Sequence, residues 1–460
     1  MVSGPWRLVM GAVVVAVAAM GLAGCVADPP PIIGTAVPGD GRVLLSWEPP
    51  IAEPALVTAY VVTPYVGTTA LAPVRFDSSA TSRIVGGLRN GIVHTFTVTA
   101  INALGNESAS SQSSNAVIPG QQVSGSATRT CALADDGAVK CWGGGNPTPT
   151  AVPGLTGATA VSVGTSTCAL ISDGSVKCWG SNFYGELGDG TTTDSATPVT
   201  VVGITGATAI AVRTVAACAL LSGGSIKCWG HHFSGQGGMP SDYSPTPWTV
   251  PGITDASALG AGDSNTCAVV TGGAIKCWGN SISDGEGGST MSSRDPISVT
   301  DISGATLVTD GVDHSCARLA GGVMKCWGQA YQGQLGDGTG GEGQWFNPVW
   351  TPVSVVGMTG ARVITAGYSH TCAITEGGAV KCWGRNDQGQ VGNGTFDYPF
   401  PNTPSSVVGL SNAIALEAGT VHTCAVVPDA VLCWGSNTHG QLGTGSAGGF
   451  STTPVEVVGL

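Results

Sequence analysis

Fourteen of the fifteen cysteines in this chain come in pairs, and the pairs recur along the sequence. Cys131/Cys141, Cys168/Cys178, Cys218/Cys228, Cys267/Cys277, Cys316/Cys326 and Cys372/Cys382 stand ten residues apart, and Cys424/Cys433 nine. Thiols in this arrangement could hold a metal or oxidise to disulfides. Zinc sites of this density bring Cys-x2–4-Cys spacing and further ligands, and neither is present. Disulfides fit better. A gap of ten suits a hairpin whose three-residue loop ends in a left-handed glycine. Gly137, Gly174, Gly224, Gly273, Gly322 and Gly378 occupy that position. In the last pair the loop shortens to Pro428-Asp429. Both lengths set the cysteines opposite each other across two antiparallel strands. Opposed Cα atoms lie about 4.5–5.5 Å apart, inside the roughly 4.4–6.8 Å that a disulfide accepts.

Other residues with chemical potential fall at repeated positions. His314, His370 and His422 each precede a first cysteine by two residues. A metal ring would need the same residue in every unit, but Arg129, Ser166, Ala216 and Asn265 stand there in the others. A hydrogen bond anchoring the unit is the expectation. All six lysines (Lys140, Lys177, Lys227, Lys276, Lys325 and Lys381) immediately precede a second cysteine. They share a strand face with the tryptophans, so their stems can lie on the indoles. Asp189, Asp337 and Asn393 sit in Gly-[Asp/Asn]-Gly-Thr turns, which read as turn chemistry rather than calcium loops. No nucleophile–base pair, zincin motif or phosphate loop is legible. The chain is therefore expected to be no enzyme and to carry no cofactor or metal.

These residues must be positioned by a repeat of about fifty residues, a period that signals a solenoid, propeller or array. Each second cysteine begins Cys-Trp-Gly, with Trp142, Trp179, Trp229, Trp278, Trp327, Trp383 and Trp434. Neighbours on a strand face opposite ways, so cysteine and tryptophan would meet different adjacent units. Burial on both faces suits blades around an axis. The final Pro454–Leu460 segment is expected to complete the first blade and close the ring. With 72 glycines and only 10% charged residues, many short strands and tight turns are implied. The net charge of −12, with no basic cluster, argues against nucleic acid.

The units resemble the regulator-of-chromosome-condensation repeat family of seven-bladed β-propellers. Gly311-x-x-His314-Ser315-Cys316, Gly367-x-x-His370-Thr371-Cys372, Gly333-Gln334-Leu335-Gly336-Asp337-Gly338-Thr339 and Gly440-Gln441-Leu442-Gly443 carry the resemblance. Blade 1 departs, lacking the Gly-Gln-Leu-Gly stretch after Trp142-Gly143. Ahead of the repeats, residues 33–119 carry no cysteine and show alternating runs such as Thr95–Ala100. Leu45–Pro50 and Asn90–Gly105 resemble a fibronectin type III β-sandwich, with His94 where that family usually places its corner tyrosine. An apolar run from Leu8 to Ala23 ends in Leu22-Ala23-Gly24-Cys25, which resembles a bacterial lipobox. That resemblance implies removal of residues 1–24, lipidation of Cys25 and a tether over 25–32. The expected fold is all-β: a sandwich at 33–119 and a seven-bladed propeller at 120–460.

Function is expected where repetition fails. Tyr331, Trp345, Phe346 and Trp350 lie in the longest link, and Phe396, Tyr398 and Phe400 in the next. Phe183, Tyr184, Phe233, Tyr243 and Trp248 lie in corresponding links. Aromatic residues on loops of a rigid scaffold suit binding hot spots, and the alternative is packing between blades. The expectation is an exported monomer, lipid-anchored to the outer face of a bacterial membrane or cell surface. It would touch the membrane through its anchor alone and bind an extracellular or periplasmic protein. Cell-wall or extracellular carbohydrate binding, and a polysaccharide-degrading propeller enzyme, are the rival readings. The enzyme would need paired carboxylates, for which Glu342 and Asp397 are nearest the aromatic loops in sequence.

Overall fold

Each Cys-Trp-Gly unit folds into a four-stranded antiparallel sheet whose strands are consecutive in the chain. In the second unit these are Ala158–Val163, Ser166–Ile171, Val176–Gly180 and Ser195–Thr200. A computed structural model describes residues 29–39, 42–50, 57–86, 88, 94–114, 122–134, 137–231, 243–282, 291–340, 348–396, 398–428 and 430–460. Seven such sheets form the blades of an all-β propeller. The innermost strands surround a central channel.

The hairpin between second and third strands aligns each cysteine pair in register, as in Cys168↔Cys178 and Cys424↔Cys433. Every bridge stays within its own blade. The bonded pairs are Cys131–Cys141, Cys168–Cys178, Cys218–Cys228 and Cys267–Cys277 in blades 1 to 4. Cys316–Cys326, Cys372–Cys382 and Cys424–Cys433 follow in blades 5 to 7. One detail departs from expectation. The Cα atoms stand only 4.0 or 4.1 Å apart, closer than the roughly 4.5 Å of the tightest opposed pairs. A covalent bridge between facing side chains draws the two strands together. Thirteen of these cysteines are buried, and Cys141 is partly buried beside its blade's core. The tight turn is made possible by the third loop residue: Gly174 has φ +80° and Gly378 +79°.

Strand alternation then sets the ring. The cysteines of one blade share a core with the tryptophan of the next. Cys131 packs with Trp179, Cys168 and Cys178 with Trp229, and Cys218 and Cys228 with Trp278. Cys267 and Cys277 pack with Trp327, Cys316 and Cys326 with Trp383, and Cys372 and Cys382 with Trp434. The series closes where Cys424 and Cys433 of blade 7 meet Trp142 of blade 1. Five of the tryptophans are among the most completely buried large side chains. Burying one removes about 150–250 Å², so at about 25 cal/mol per Å² each supplies about 4–6 kcal/mol before entropy is counted.

Closure differs from the sequence expectation. The last strand, Phe450–Glu456, does not complete blade 1; it pairs with Ala430–Ser436 as the outer strand of its own blade. Blade 1 builds all four strands locally, from Val123–Gly125 to Asn146–Ala151. The reason lies in the stretch that blade 1 lacks. Without it, Gly143, Gly144 and Gly145, all at positive φ, turn the chain directly into its outer strand. Side-chain contacts and backbone hydrogen bonds between loops, such as Gly145 N–H to the His439 carbonyl at 3.1 Å, close the ring instead. Trp142 Nε1 donates to the Gln441 carbonyl at 2.9 Å, and Lys140 Nζ to the Gly459 carbonyl at 3.2 Å.

The amino-terminal module, taken by itself, is two sheets packed face to face. One holds Ile32–Gly39, Arg42–Glu48 and Ser82–Val85; the other is built on Val57–Val66, flanked by Val74–Phe76 and Thr95–Asn102. Leu45, Trp47, Tyr60, Val62, Phe96 and Val98 form its core. Trp47 meets Tyr60 edge-on at 5.0 Å. His94 is buried and stacks near Phe96. Ser108, Ser111 and Ser114 edge the second sheet, each using both its backbone N–H and its hydroxyl, as in Ala100 N–H to Ser108 Oγ at 3.0 Å.

Candidate binding face and central channel

Antiparallel topology puts two kinds of loop on one face of the ring. These are the short turns from inner to second strand and the long loops from third to outer strand. The cysteine hairpins and the links to the next blade emerge on the opposite face.

The long loops owe their shape to the Gly-Gln-Leu-Gly stretch. Gln334, Gln390 and Gln441 are buried, as is Glu186 in the same place. Each turns its backbone carbonyl toward the next blade. The Gln334 carbonyl accepts Trp383 Nε1–H at 3.0 Å and Thr371 Oγ1–H at 2.8 Å. Gln390 does the same for Trp434 and Thr423, and Gln441 for Trp142 and Thr130. The second glycine of the stretch must be glycine: a Cβ on Gly336 would lie 2.6 Å from Trp383 Nε1.

The histidines complete this stitching. His314 Nε2 meets Thr371 Oγ1 at 2.8 Å, His370 meets Thr423 at 3.0 Å, and His422 meets Thr130 at 2.8 Å. Each threonine hydrogen already goes to a glutamine carbonyl, so the imidazole must donate from Nε2 and leave Nδ1 bare. The three Nδ1 atoms have no partner among the described residues. Burial pushes the His314 and His422 pKa down to about 4 and that of His370 to about 3. In blade 4, Asn265 Nδ2 reaches Ser315 Oγ at 3.0 Å from the same position.

The lysines and turn acids have structural partners too. Lys227, Lys276 and Lys325 donate to the carbonyls of Gly203, Gly252 and Asp301, 24 residues earlier in each case. Asp189, Asp337 and Asn393 accept from the threonine two residues on, as in Thr191 N–H to Asp189 Oδ1 at 2.9 Å. No group of three metal-ligating side chains occurs among the described residues.

The aromatic candidates divide. Phe396 is 56% exposed and pairs with Phe450 of the next blade at 5.4 Å. Tyr398 is 62% exposed and meets Phe400 at 5.3 Å. Phe183 is exposed beside Tyr184, which packs on His231 at 4.5 Å. Tyr243 and Trp248 are exposed on an outer strand. Tyr331 is half-buried, and burial raises its hydroxyl pKa. Trp350 is a correction: it lies within the outer strand Val349–Ser354 rather than in the loop before it, and it is buried at 7%. Trp345, Phe346, Phe233, Glu342, Asp397 and Cys25 lie outside the described residues.

Several residues were not singled out from sequence. Phe450 falls in the last repeat, outside the irregular links. Arg385 pairs with Asp387 at 2.6 Å and lies over the Tyr368 ring. The channel, of about 640 Å³, is lined by the inner strands and turns of all seven blades. Hydroxyls of the inner strands tie neighbouring blades together: Val163 N–H donates to Ser124 Oγ at 3.1 Å, and Ala418 N–H to Thr365 Oγ1 at 3.1 Å. Glu417 takes the equivalent place at the seam, and burial pushes its carboxyl up to about 8. Asp310 and Arg213 also line the channel. The available signal was positional. Gly164, Gly262, Gly311, Gly367 and Gly419 open the short turns of five blades, and blade 3 has Arg213 there.

Two family profiles, each described as the Regulator of chromosome condensation (RCC1) repeat, match residues 362–390 and 378–426. The Ultraviolet-B receptor UVR8 of Arabidopsis thaliana is 36% identical over 117 residues, covering 25% of this chain and 25% of its own length. The Secretion-regulating guanine nucleotide exchange factor of Mus musculus is 32% identical over 112 residues, covering 21% of this chain and 24% of its own. The chain thus spans about a quarter of the length of these curated relatives. Among solved structures, Prp20p from Saccharomyces cerevisiae superposes with a TM-score of 0.61 at 21% identity, over 68% of this chain and 80% of that one. Human WBSCR16 gives 0.58 at 17%, over 80% and 98%. At these identities the structural likeness speaks to the fold.

Proposed function

We propose, starting from a chain that belongs to the Regulator of chromosome condensation repeat family of propellers, that it is a non-catalytic scaffold binding a protein through its long-loop face. One observation carries this reading: Phe396 with Phe450, both exposed, and the exposed Tyr398 with the partly exposed Phe400 stand as aromatic pairs on a frame stapled in every blade. Large, rigid rings on fixed backbone supply contact area at little entropic cost, as binding hot spots do. The Prp20p structure is described together with binding to Gsp1p and histones, which supports protein recognition by this kind of ring. The acidic charge of −12 favours a basic or neutral partner surface.

The Leu22–Cys25 motif supports export and lipid anchoring, with the amino-terminal sandwich, read as a fibronectin type III domain, serving as a spacer. Cys25→Ser should move the protein to the soluble fraction; retention on membranes would place the anchor elsewhere. The binding test is a double change, Phe396→Ala with Tyr398→Ala, in the full chain. Partner capture by crosslinking should fall at least about tenfold while the melting temperature stays within a few degrees. Unchanged capture moves the site off this patch. Glycan-array binding lost in the same variant would favour the carbohydrate reading.

A further inference from the structure

The short-turn glycines form a ring in which each blade's turn abuts the next. A Cβ on Gly164 would lie 2.0 Å from the Arg213 carbonyl, on Gly262 1.9 Å from the Gly311 carbonyl, and on Gly367 2.4 Å from the Gly419 carbonyl. Glycine is the sterically natural residue there. Blade 1 has the small Ser126 there, and blade 3 instead places an arginine against blade 4.

Arg213 is only 5% exposed. Among the described residues its one side-chain hydrogen bond runs from Nη1 to the Gly262 carbonyl at 3.5 Å, and it forms no ion pair. Two carboxylates are near enough to favour its charge, yet burial wins and lowers its pKa to about 10, so it remains a cation at neutral pH. Asp263 is engaged elsewhere, and so is one oxygen of Asp310, whose Oδ2 has no hydrogen-bond partner among the described residues. Asp263 Oδ1 accepts from the Thr214 backbone at 3.0 Å and from the Thr214 hydroxyl. Asp310 Oδ1 accepts from Ser315 Oγ at 2.5 Å and Asn265 Nδ2 at 3.3 Å. Buried charges are ordinarily paired or fully hydrogen-bonded, and this guanidinium is neither. It lines a channel of a volume that suits a small molecule, beside a turn opening on the long-loop face.

We propose that the central channel binds a small oxyanion, bearing a carboxylate or phosphate group, on the Arg213 guanidinium. A planar guanidinium fork matches both groups, donating to two oxygens side by side. The opposite wall offers Glu417 and the hydroxyl of Thr365 to the rest of such a ligand. The site does not depend on the aromatic patch, so the Phe396/Tyr398 variant should keep it.

The test is isothermal titration of the full chain with sodium phosphate and with sodium acetate, at ionic strength matched by sodium chloride. At least one anion should bind. Arg213→Gly, which restores the residue of five other blades, should weaken that binding at least about tenfold with an unchanged circular dichroism spectrum. Arg213→Lys, keeping the charge without the fork, should weaken it several-fold and serves if the glycine variant does not fold. Binding of acetate alone would point to a carboxylate ligand and of phosphate alone to a phosphorylated one. Absence of binding for both anions, or equal binding by the Arg213 variants, overturns the proposal. So does loss on Arg129→Gln with retention in Arg213→Gly, which would place the anion on the other arginine lining the channel.

Discussion

His314, His370 and His422 carry an acid liability because each donates from Nε2 while its Nδ1 is walled in. Gly311, Gly367 and Gly419 press against the rings, a Cβ on Gly367 lying 2.3 Å from His370 Cε1. Protonation would place a buried donor where nothing accepts. The folded pKa values, about 3 to 4, lie below the ordinary 6.5. Between these limits the unfolded chain binds protons that the folded chain refuses. The histidine contribution is therefore full above pH 6.5 and is lost as pH falls toward 4. Asp310 and Glu417 act oppositely, since their folded values, about 7 and about 8, are raised; they cost stability as pH rises toward those values. His370→Asn isolates one proton, and Asn265 shows that the position accepts the amide. Relative to the native chain, that variant should gain up to about 1.4 kcal/mol per pH unit from about pH 6.5 toward about 3. Denaturant unfolding at about pH 5 and about pH 7 measures it; a difference that does not change with pH would show that the imidazole titrates freely.

A blade is a weak element alone and a strong one beside its neighbour. Its cysteine face needs the following tryptophan, and that tryptophan needs the carbonyl of the preceding long loop. Trp383→Phe keeps most of the apolar contact and removes the 3.0 Å bond to Gln334. The carbonyl retains Thr371, so the cost should be about 1 kcal/mol. Trp383→Ala should cost about 3–5 kcal/mol through the cavity it leaves. Equal losses in the two variants would mean that the hydrogen bond, not the packing, holds the interface. Within the blade, a disulfide closing a separation of ten residues, as Cys372–Cys382 does, corresponds to about 2.5–3 kcal/mol by chain entropy.

The whole ring depends on a seam that no strand crosses. Val455 and Val457 of the last segment pack with Val123 and Trp142 of the first blade, and Gly459 receives Lys140. Deleting Pro454–Leu460 should therefore expose an edge in blade 7 and loosen blade 1 together. Hydrogen exchange should rise over 424–436 and over 123–143, with a lower melting temperature. Protection lost in blade 1 alone would restore the strand-exchange closure that the structure replaces.

The repeat period, the hairpin glycines and the cysteine spacing made the blades and their internal pairings legible, because those features depend on neighbours within about ten residues. The alternation of cysteine and tryptophan likewise implied two buried faces, since strand geometry leaves no other choice. Closure was misread because sequence order does not say which blade the last segment joins; a three-glycine turn in blade 1 settles that through local backbone freedom. Exposure of the aromatic residues was equally hidden. Trp350 and Phe400 lie in successive links, yet strand register buries Trp350 while Phe400 stays partly exposed. Least visible was the channel. Arg213, Asp310 and Glu417 come from three blades, and only closing the ring brings them to one cavity. The depth of burial that shifts their charges is a property of seven packed blades and of no segment alone.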